Sequence, residues 1–145
     1  IRESLYGDAH GKVALSHYYM SQAYRGFSVN VLRDSTLVNP IQEELNQLNI
    51  ALEIQLKTIG EHHYQTANTY EALGNYYYEI QRDFHKGVDF HQKALAIRQE
   101  VFSSYHPQLA LSFQAMAIYY RVMNMFEKEF FYLEKELWSM VQIFI

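Results

Sequence analysis

The chain has 145 residues, 49% hydrophobic and 19% charged, with a formal charge of −4. That balance describes an ordered chain and excludes a disordered or strongly polyionic one. With no basic block to meet phosphates, no nucleic-acid partner is expected; with no cysteine there is neither a disulfide framework nor a thiolate zinc site.

Residues 1–6 read as the end of a second helix whose own repeat precedes the sequence. Gly7 then suits the left-handed position just past a helix end, and Gly60 repeats it. A first helix is predicted over residues 11–25, with Val13, Met20 and Tyr24 as its apolar set and small Ala14 and Ser21 beside them. The stretch FSVNVLRDSTLV, residues 27–38, reads as an insertion before the next helix. Asn39 can cap that helix, Pro40 takes its first position, and Gln42 can reach back as a capping box, with the helix running to about residue 59.

The next helix is predicted over residues 64–80, and Asp83 caps a further one reaching about residue 101. Pro107 opens the fifth, at a position where a helix needs no N–H. Asn124-Met125-Phe126-Glu127 reads as a second capping box, opening a last helix to about residue 142. The sequence ends on the apolar WSMVQIFI, so both ends read as cuts in a longer protein. Strand alternation is nowhere sustained and no apolar run nears the roughly 18 residues of a membrane span. The fold class is all-α, without a membrane span.

The helices repeat. His63, Ala67, Leu73, Gly74 and Tyr77 fall on His106, Ala110, Met116, Ala117 and Tyr120, each 43 residues later. His10, Ala14, Met20, Ser21 and Tyr24 stand 53 earlier. A helical period of this length signals a stacked array, divided into repeats at 7–59, 60–102 and 103–145.

These residues resemble the tetratricopeptide repeat, a helix pair with a large fourth residue, a small eighth and a tyrosine eleventh. The fourth position holds His17, Tyr70 and Phe113, the eighth Ser21, Gly74 and Ala117, and the eleventh Tyr24, Tyr77 and Tyr120. The connectors Gly7-Asp8-Ala9-His10 and Gly60-Glu61-His62-His63, with the tails Ala51-Leu52-Glu53-Ile54 and Ala94-Leu95-Ala96-Ile97, are similar to the kinesin-light-chain variety. The resemblance implies a right-handed α-solenoid of antiparallel helix pairs, with a concave groove lined by the first helix of each pair. It implies that positions two, five, nine and twelve point into that groove: Leu15, Tyr18, Gln22 and Arg25; Asn68, Glu71, Asn75 and Tyr78; Leu111, Gln114, Ile118 and Arg121. Arg25 and Arg121 would flank an amide- and carboxylate-rich strip as anchors for acidic groups. One departure stands out. Glu129 and Glu136 occupy the twentieth and twenty-seventh positions, where the second repeat has Gly87 and Ala94. A carboxylate there needs a partner or solvent, so a cap-like or contact-making end is expected.

No catalytic constellation is present: neither a Gly-rich phosphate loop nor a nucleophile motif. His10, His63 and His106 recur once per repeat and read as hydrogen-bonding connector residues, while His85 and His91 are six apart and share no helix face. No metal or other cofactor is expected. Tyrosines come in the runs Tyr18-Tyr19, Tyr76-Tyr77-Tyr78 and Tyr119-Tyr120, and in the last two one ring, Tyr77 or Tyr120, is the eleventh-position core residue. The function expected is a non-enzymatic interaction scaffold or adaptor in the cytoplasm, binding a peptide or partner subunit within a multi-protein complex. The alternatives are a structural subunit of a cytoskeletal or ciliary assembly, or the regulatory arm of an enzyme whose catalytic domain lies elsewhere.

Overall fold

The computed structural model describes residues 2–31, 40–104 and 106–144. The helices are α1 (Arg2–Val31), α2 (Pro40–Thr58), α3 (Tyr64–Asn75), α4 (Phe84–Val101), α5 (Pro107–Val122) and α6 (Phe126–Phe144). A π-helical turn, Tyr76–Ile80, prolongs α3. Among the described residues there is no strand, so the all-α class holds. None of these helices is long and apolar enough to cross a membrane. The chain forms two compact units, 1–73 and 74–145.

In the first unit α1 packs along α2. The seam is built from small residues: Ala14, Ser21 and Ala51 are 1% exposed or less. Small side chains let two helix backbones approach, and the packing density of an interior then holds them there. Polar groups close the remaining gaps. His17 Nδ1 lies 2.5 Å from Gln47 Oε1, and Arg25 Nη1 lies 3.9 Å from Oε1 of the buried Glu44. After α2 the chain turns through Gly60 at φ 84°, the left-handed position expected of it. Thr66 Oγ1 then donates to the Gly60 carbonyl at 2.8 Å, fastening the start of α3.

Gly7 does not behave as Gly60 does. It lies inside α1, which runs unbroken from Arg2 to Val31, so the helix end expected at Gly7 and the separate preceding helix are absent. A glycine within a helix costs only about 1 kcal/mol, and neither a proline nor a left-handed residue follows to stop propagation. The same helix also continues past Arg25 into the first part of the insertion. The rest of the insertion and the Asn39 cap lie outside the described residues. Gln42 Nε2 donates to Asn46 Oδ1 at 3.2 Å.

The second unit holds the continuous apolar core of Val88, Leu95, Leu109, Phe113, Met116, Tyr119 and Tyr120. Here α4 packs on both the π turn and α5, and α5 on α6. Asp83 caps α4 as expected, its Oδ1 accepting from the Lys86 N–H at 3.1 Å. Pro107 opens α5, again as expected. At the other end of α5 the expectation fails. Asn124 takes φ 58° and its N–H bonds the Arg121 carbonyl at 3.0 Å, so it closes α5 rather than capping α6. Asparagine tolerates that left-handed geometry better than other side-chain-bearing residues.

The π turn accounts for an irregularity in the repeat. First-helix positions recur 43 residues apart, as Tyr77 and Tyr120 do, but second-helix positions such as Gly87 and Glu129 recur 42 apart. Gln81 N–H reaches the Tyr76 carbonyl across five residues at 3.3 Å, the wider loop of a π turn. The left-handed residue therefore comes five places after Tyr77 (Arg82) but four after Tyr120 (Asn124). One surplus residue has been absorbed without disturbing either helix.

Candidate functional site

The eleventh-position tyrosines show how alike successive helix pairs are. Tyr77 stacks on Phe90 of α4 with centroids 5.6 Å apart and planes within 8°, and Lys86 Nζ stands 4.1 Å from its centroid. Tyr120 stacks on Tyr132 of α6 at 5.5 Å and 11°, with Lys128 Nζ at 5.2 Å. Each ring is thus held between an aromatic partner and a cation on its own second helix. The expectation that the eleventh tyrosine is the buried ring of its run needs correcting in the second repeat. There Tyr76 is 1% exposed and Tyr77 only half-buried, while Tyr119 and Tyr120 are both buried.

Position twelve and position twenty vary together. Where the twentieth residue is an acid, the twelfth is arginine: Arg25 with Glu44 on α1 and α2, and Arg121 with Glu129 on α5 and α6. Arg121 Nε donates to Glu129 Oε1 at 2.6 Å, and that carboxylate side chain is 12% exposed. Where the twentieth residue is Gly87, the twelfth is Tyr78. A Cβ on Gly87 would stand 3.0 Å from Tyr78 Cβ and 3.0 Å from the Gly74 carbonyl oxygen. At this place the paired helices are joined either by an ion pair or by a close approach of the Tyr78 Cβ and backbone to a glycine.

That pattern changes the reading of the predicted groove. Arg25 and Arg121 are engaged by acids of their own helix pairs. Asn75 Oδ1 accepts from the Tyr119 hydroxyl at 3.1 Å. Tyr78 is half-buried, its ring 4.3 Å from that of Tyr119 and 5.1 Å from that of Phe84. Burial pushes the Tyr78 hydroxyl above its ordinary range, with the Arg82 charge pulling weakly the other way. Of the remaining positions, Leu15, Tyr18, Gln22, Asn68 and Glu71 are half-buried in the first unit. In the second, Leu111, Gln114 and Ile118 are exposed along α5, Leu111 at 59% and Ile118 at 47%.

Two connector histidines do what their position suggests. His63 Nδ1 accepts from the Gln65 N–H at 3.1 Å and His106 Nδ1 from the Gln108 N–H at 3.2 Å, each closing the first turn of a helix. His10, lying within α1, has no helix start to cap. His91 is a core ring, packed 4.4 Å from Tyr119. Among the described residues no three metal-binding side chains converge. A cleft of about 240 Å³ in the second unit is lined by Gln99, Ser104, Leu109, Phe113, Lys135, Trp138 and Ser139. That lining contains neither a carboxylate nor an imidazole for proton transfer.

A polar clasp recurs between successive pairs, made by Gln55 and Arg98, which hold equivalent places in the repeat. Gln55, 1% exposed on α2, donates to the Gln65 carbonyl at 3.4 Å. Its counterpart Arg98, 3% exposed on α4, donates to Ser112 Oγ at 2.9 Å, and Ser112 in turn donates to the Gln108 carbonyl at 2.8 Å. The signal available was positional: Gln55 and Arg98 are 43 apart, as are Gln65 and Gln108. No protein-family model matches the chain, and no curated protein aligns with it significantly.

Proposed function

We propose that the chain is a non-catalytic interaction module of the tetratricopeptide kind, a right-handed array of helix pairs that holds a protein or peptide partner. The observation that carries this reading is the repetition of one design in successive pairs. The ring, stacking partner and overhanging cation at Tyr77 reappear at Tyr120. Repeat arrays present surface as their product, because each unit spends its apolar residues on its neighbours and leaves one edge of each first helix for a partner.

On that reading the partner contacts Gln114 and Ile118 on α5, with Leu111 one turn earlier. Arg121, Asn75 and Tyr78 serve the scaffold, and the cytoplasm is the compartment a cysteine-free scaffold of this kind implies. A photo-crosslinking amino acid placed at Gln114 or Ile118 in the full-length protein, in its native cells, is expected to trap one protein reproducibly. The same group at exposed Lys93 of α4 should trap none. Equal trapping at all three sites, or none at any, would reject the proposal.

A further inference from the structure

The cleft of the second unit opens at one position of the repeat. Its inner lining is Leu109, Phe113 and Ser139, at 4%, 6% and 2% exposed. Its mouth is formed by the exposed Gln99, Ser104, Lys135 and Trp138. Every wall therefore belongs to α4, α5, α6 or the connector that carries Ser104. The counterpart of Ser139 on α4 is Ile97, 42 residues earlier, and on α2 it is Ile54, a further 43 earlier. Ile97 is 4% exposed, so the preceding second helix carries a branched apolar side chain inside at this place. Serine fills less of the place than isoleucine and brings a hydroxyl to a wall of leucine and phenylalanine. Both changes cost stability unless something occupies the space.

The repeat step that removes bulk from the inside adds it at the mouth. Trp138, the only tryptophan of the chain, stands where α4 has Ala96. Its ring, with Leu109 and Phe113, offers apolar contact to a flat or branched hydrocarbon. The lining carries a single charge, on Lys135, whose Nζ stands 5.4 Å from the Phe131 centroid. Glu134 and Glu136, its neighbours in sequence, are not part of the lining. An ammonium at the edge of an apolar cavity attracts an anion more strongly than one surrounded by water. Gln99 and Ser104 add uncharged hydrogen-bonding groups at the same rim.

Size narrows the ligand. An apolar cavity of about 150 Å³ holds benzene, and drug-sized ligands occupy about 300 Å³ or more. The cleft, at about 240 Å³, falls between the two. We propose that it is a binding site for a small organic carboxylate. One ring or a short branched chain lies against Leu109, Phe113 and Trp138, and the carboxylate meets the Lys135 ammonium. This site is separate from the α5 edge at Gln114 and Ile118 and stands even if that edge meets no partner.

Trp138 reports on its own cleft, because no other tryptophan of the chain contributes to the emission. Phenylacetate is the probe and phenylacetamide its uncharged counterpart, each titrated to tens of millimolar while tryptophan emission is followed. The wild type is expected to give a saturable change with phenylacetate and to bind phenylacetamide about fivefold more weakly, the size of one solvent-accessible ion pair. Lys135→Gln should abolish that preference, leaving the two compounds alike. Ser139→Ile restores the residue of Ile54 and Ile97 and should remove the response to both compounds, with helical circular dichroism unchanged. Should Ser139→Ile lose helicity, Ser139→Val takes its place. A wild type without a saturable change, equal binding of acid and amide, or an undiminished response in the filled variant would each overturn the proposal.

Discussion

Arg121 Nε donates to Glu129 Oε1 at 2.6 Å, joining the end of α5 to the first turns of α6 across the turn that Asn124 makes. This pair answers the problem that a carboxylate poses where its repeat-mate is a glycine. The cation the sequence offered as an anchor for a partner's acid is the anchor for the chain's own. Glu129 is 12% exposed and Arg121 is 61% exposed, so solvent screens one side of the bond only. Arg121→Ala is expected to lower stability by about 1–2 kcal/mol, most of it the cost of stranding a largely buried carboxylate. In a double-mutant cycle with Glu129→Gln, read by urea denaturation, the coupling should be about 1 kcal/mol. Additive single effects would mean the two side chains are neighbours without being partners. A practical consequence follows: Arg121 is a poor probe of partner binding, because its loss perturbs the fold.

Gly74 and Gly87 mark the closest approach in the second helix pair. A Cβ on Gly74 would stand 2.6 Å from His91 Cδ2 and 2.8 Å from Nε2 of the same ring. His91 is 6% exposed and lies against Tyr119, so the ring has little room to move away. Alanine normally gains about 1 kcal/mol over glycine inside a helix. Here the overpacking term of about 1–3 kcal/mol should exceed that gain. Gly74→Ala is therefore expected to lower the urea midpoint, whereas Gly11→Ala, where nothing stands within 4 Å, should raise it. Equal effects at the two sites would remove the case for close packing.

Much of this design was legible in the sequence, and what escaped has identifiable causes. The period, the small eighth residues and the caps at Asp83 and Pro107 rest on local spacing, which a chain displays openly. The pairing of Arg25 with Glu44 was hidden by the insertion, which displaces their separation from that of Arg121 and Glu129. The continuity of α1 through Gly7 escaped because a glycine permits a left-handed stop without compelling one; Gly60 takes φ 84° and Gly7 stays helical. The exposure of Val13 and Met20, at 46% and 43%, escaped for a different reason. Periodicity shows that a stripe is apolar but not whether the chain itself supplies the surface that covers it.

Four tyrosines impose a pH dependence of definite sign. Burial raises Tyr70, Tyr78, Tyr120 and Tyr132 above the ordinary phenol value of 10.0. For Tyr120 the neighbouring Tyr132 adds to the rise, while the hydrogen bond from Gln92 works against it. A raised value in the folded state means that the unfolded chain releases its phenolic protons first. The stabilisation is complete below pH 10 and drains away as pH climbs through the folded values. Urea midpoints should be flat with respect to these groups at pH 8 to 9 and fall steeply above pH 10. Tyr132→Phe should shallow that fall, and an unchanged slope would show that Tyr132 does not contribute.

Arg82 and Asn124 both sit at φ 58°, and their substitution by glycine should separate the two by size of effect. Each ends a first helix by entering the left-handed region, where a side-chain-bearing residue pays roughly 1–2 kcal/mol and asparagine much less. Glycine removes that strain but widens the unfolded ensemble, which returns part of the gain. For Arg82→Gly the strain term dominates, so the chain should become more stable by about 0.5–1 kcal/mol. For Asn124→Gly the two terms nearly cancel, leaving a change under about 0.5 kcal/mol of either sign. Paired urea titrations, with helicity checked by circular dichroism, read both values directly. A destabilised Arg82→Gly would mean that the arginine side chain secures the π turn by more than its backbone strain costs, and the account of that turn as a one-residue overflow would have to include it.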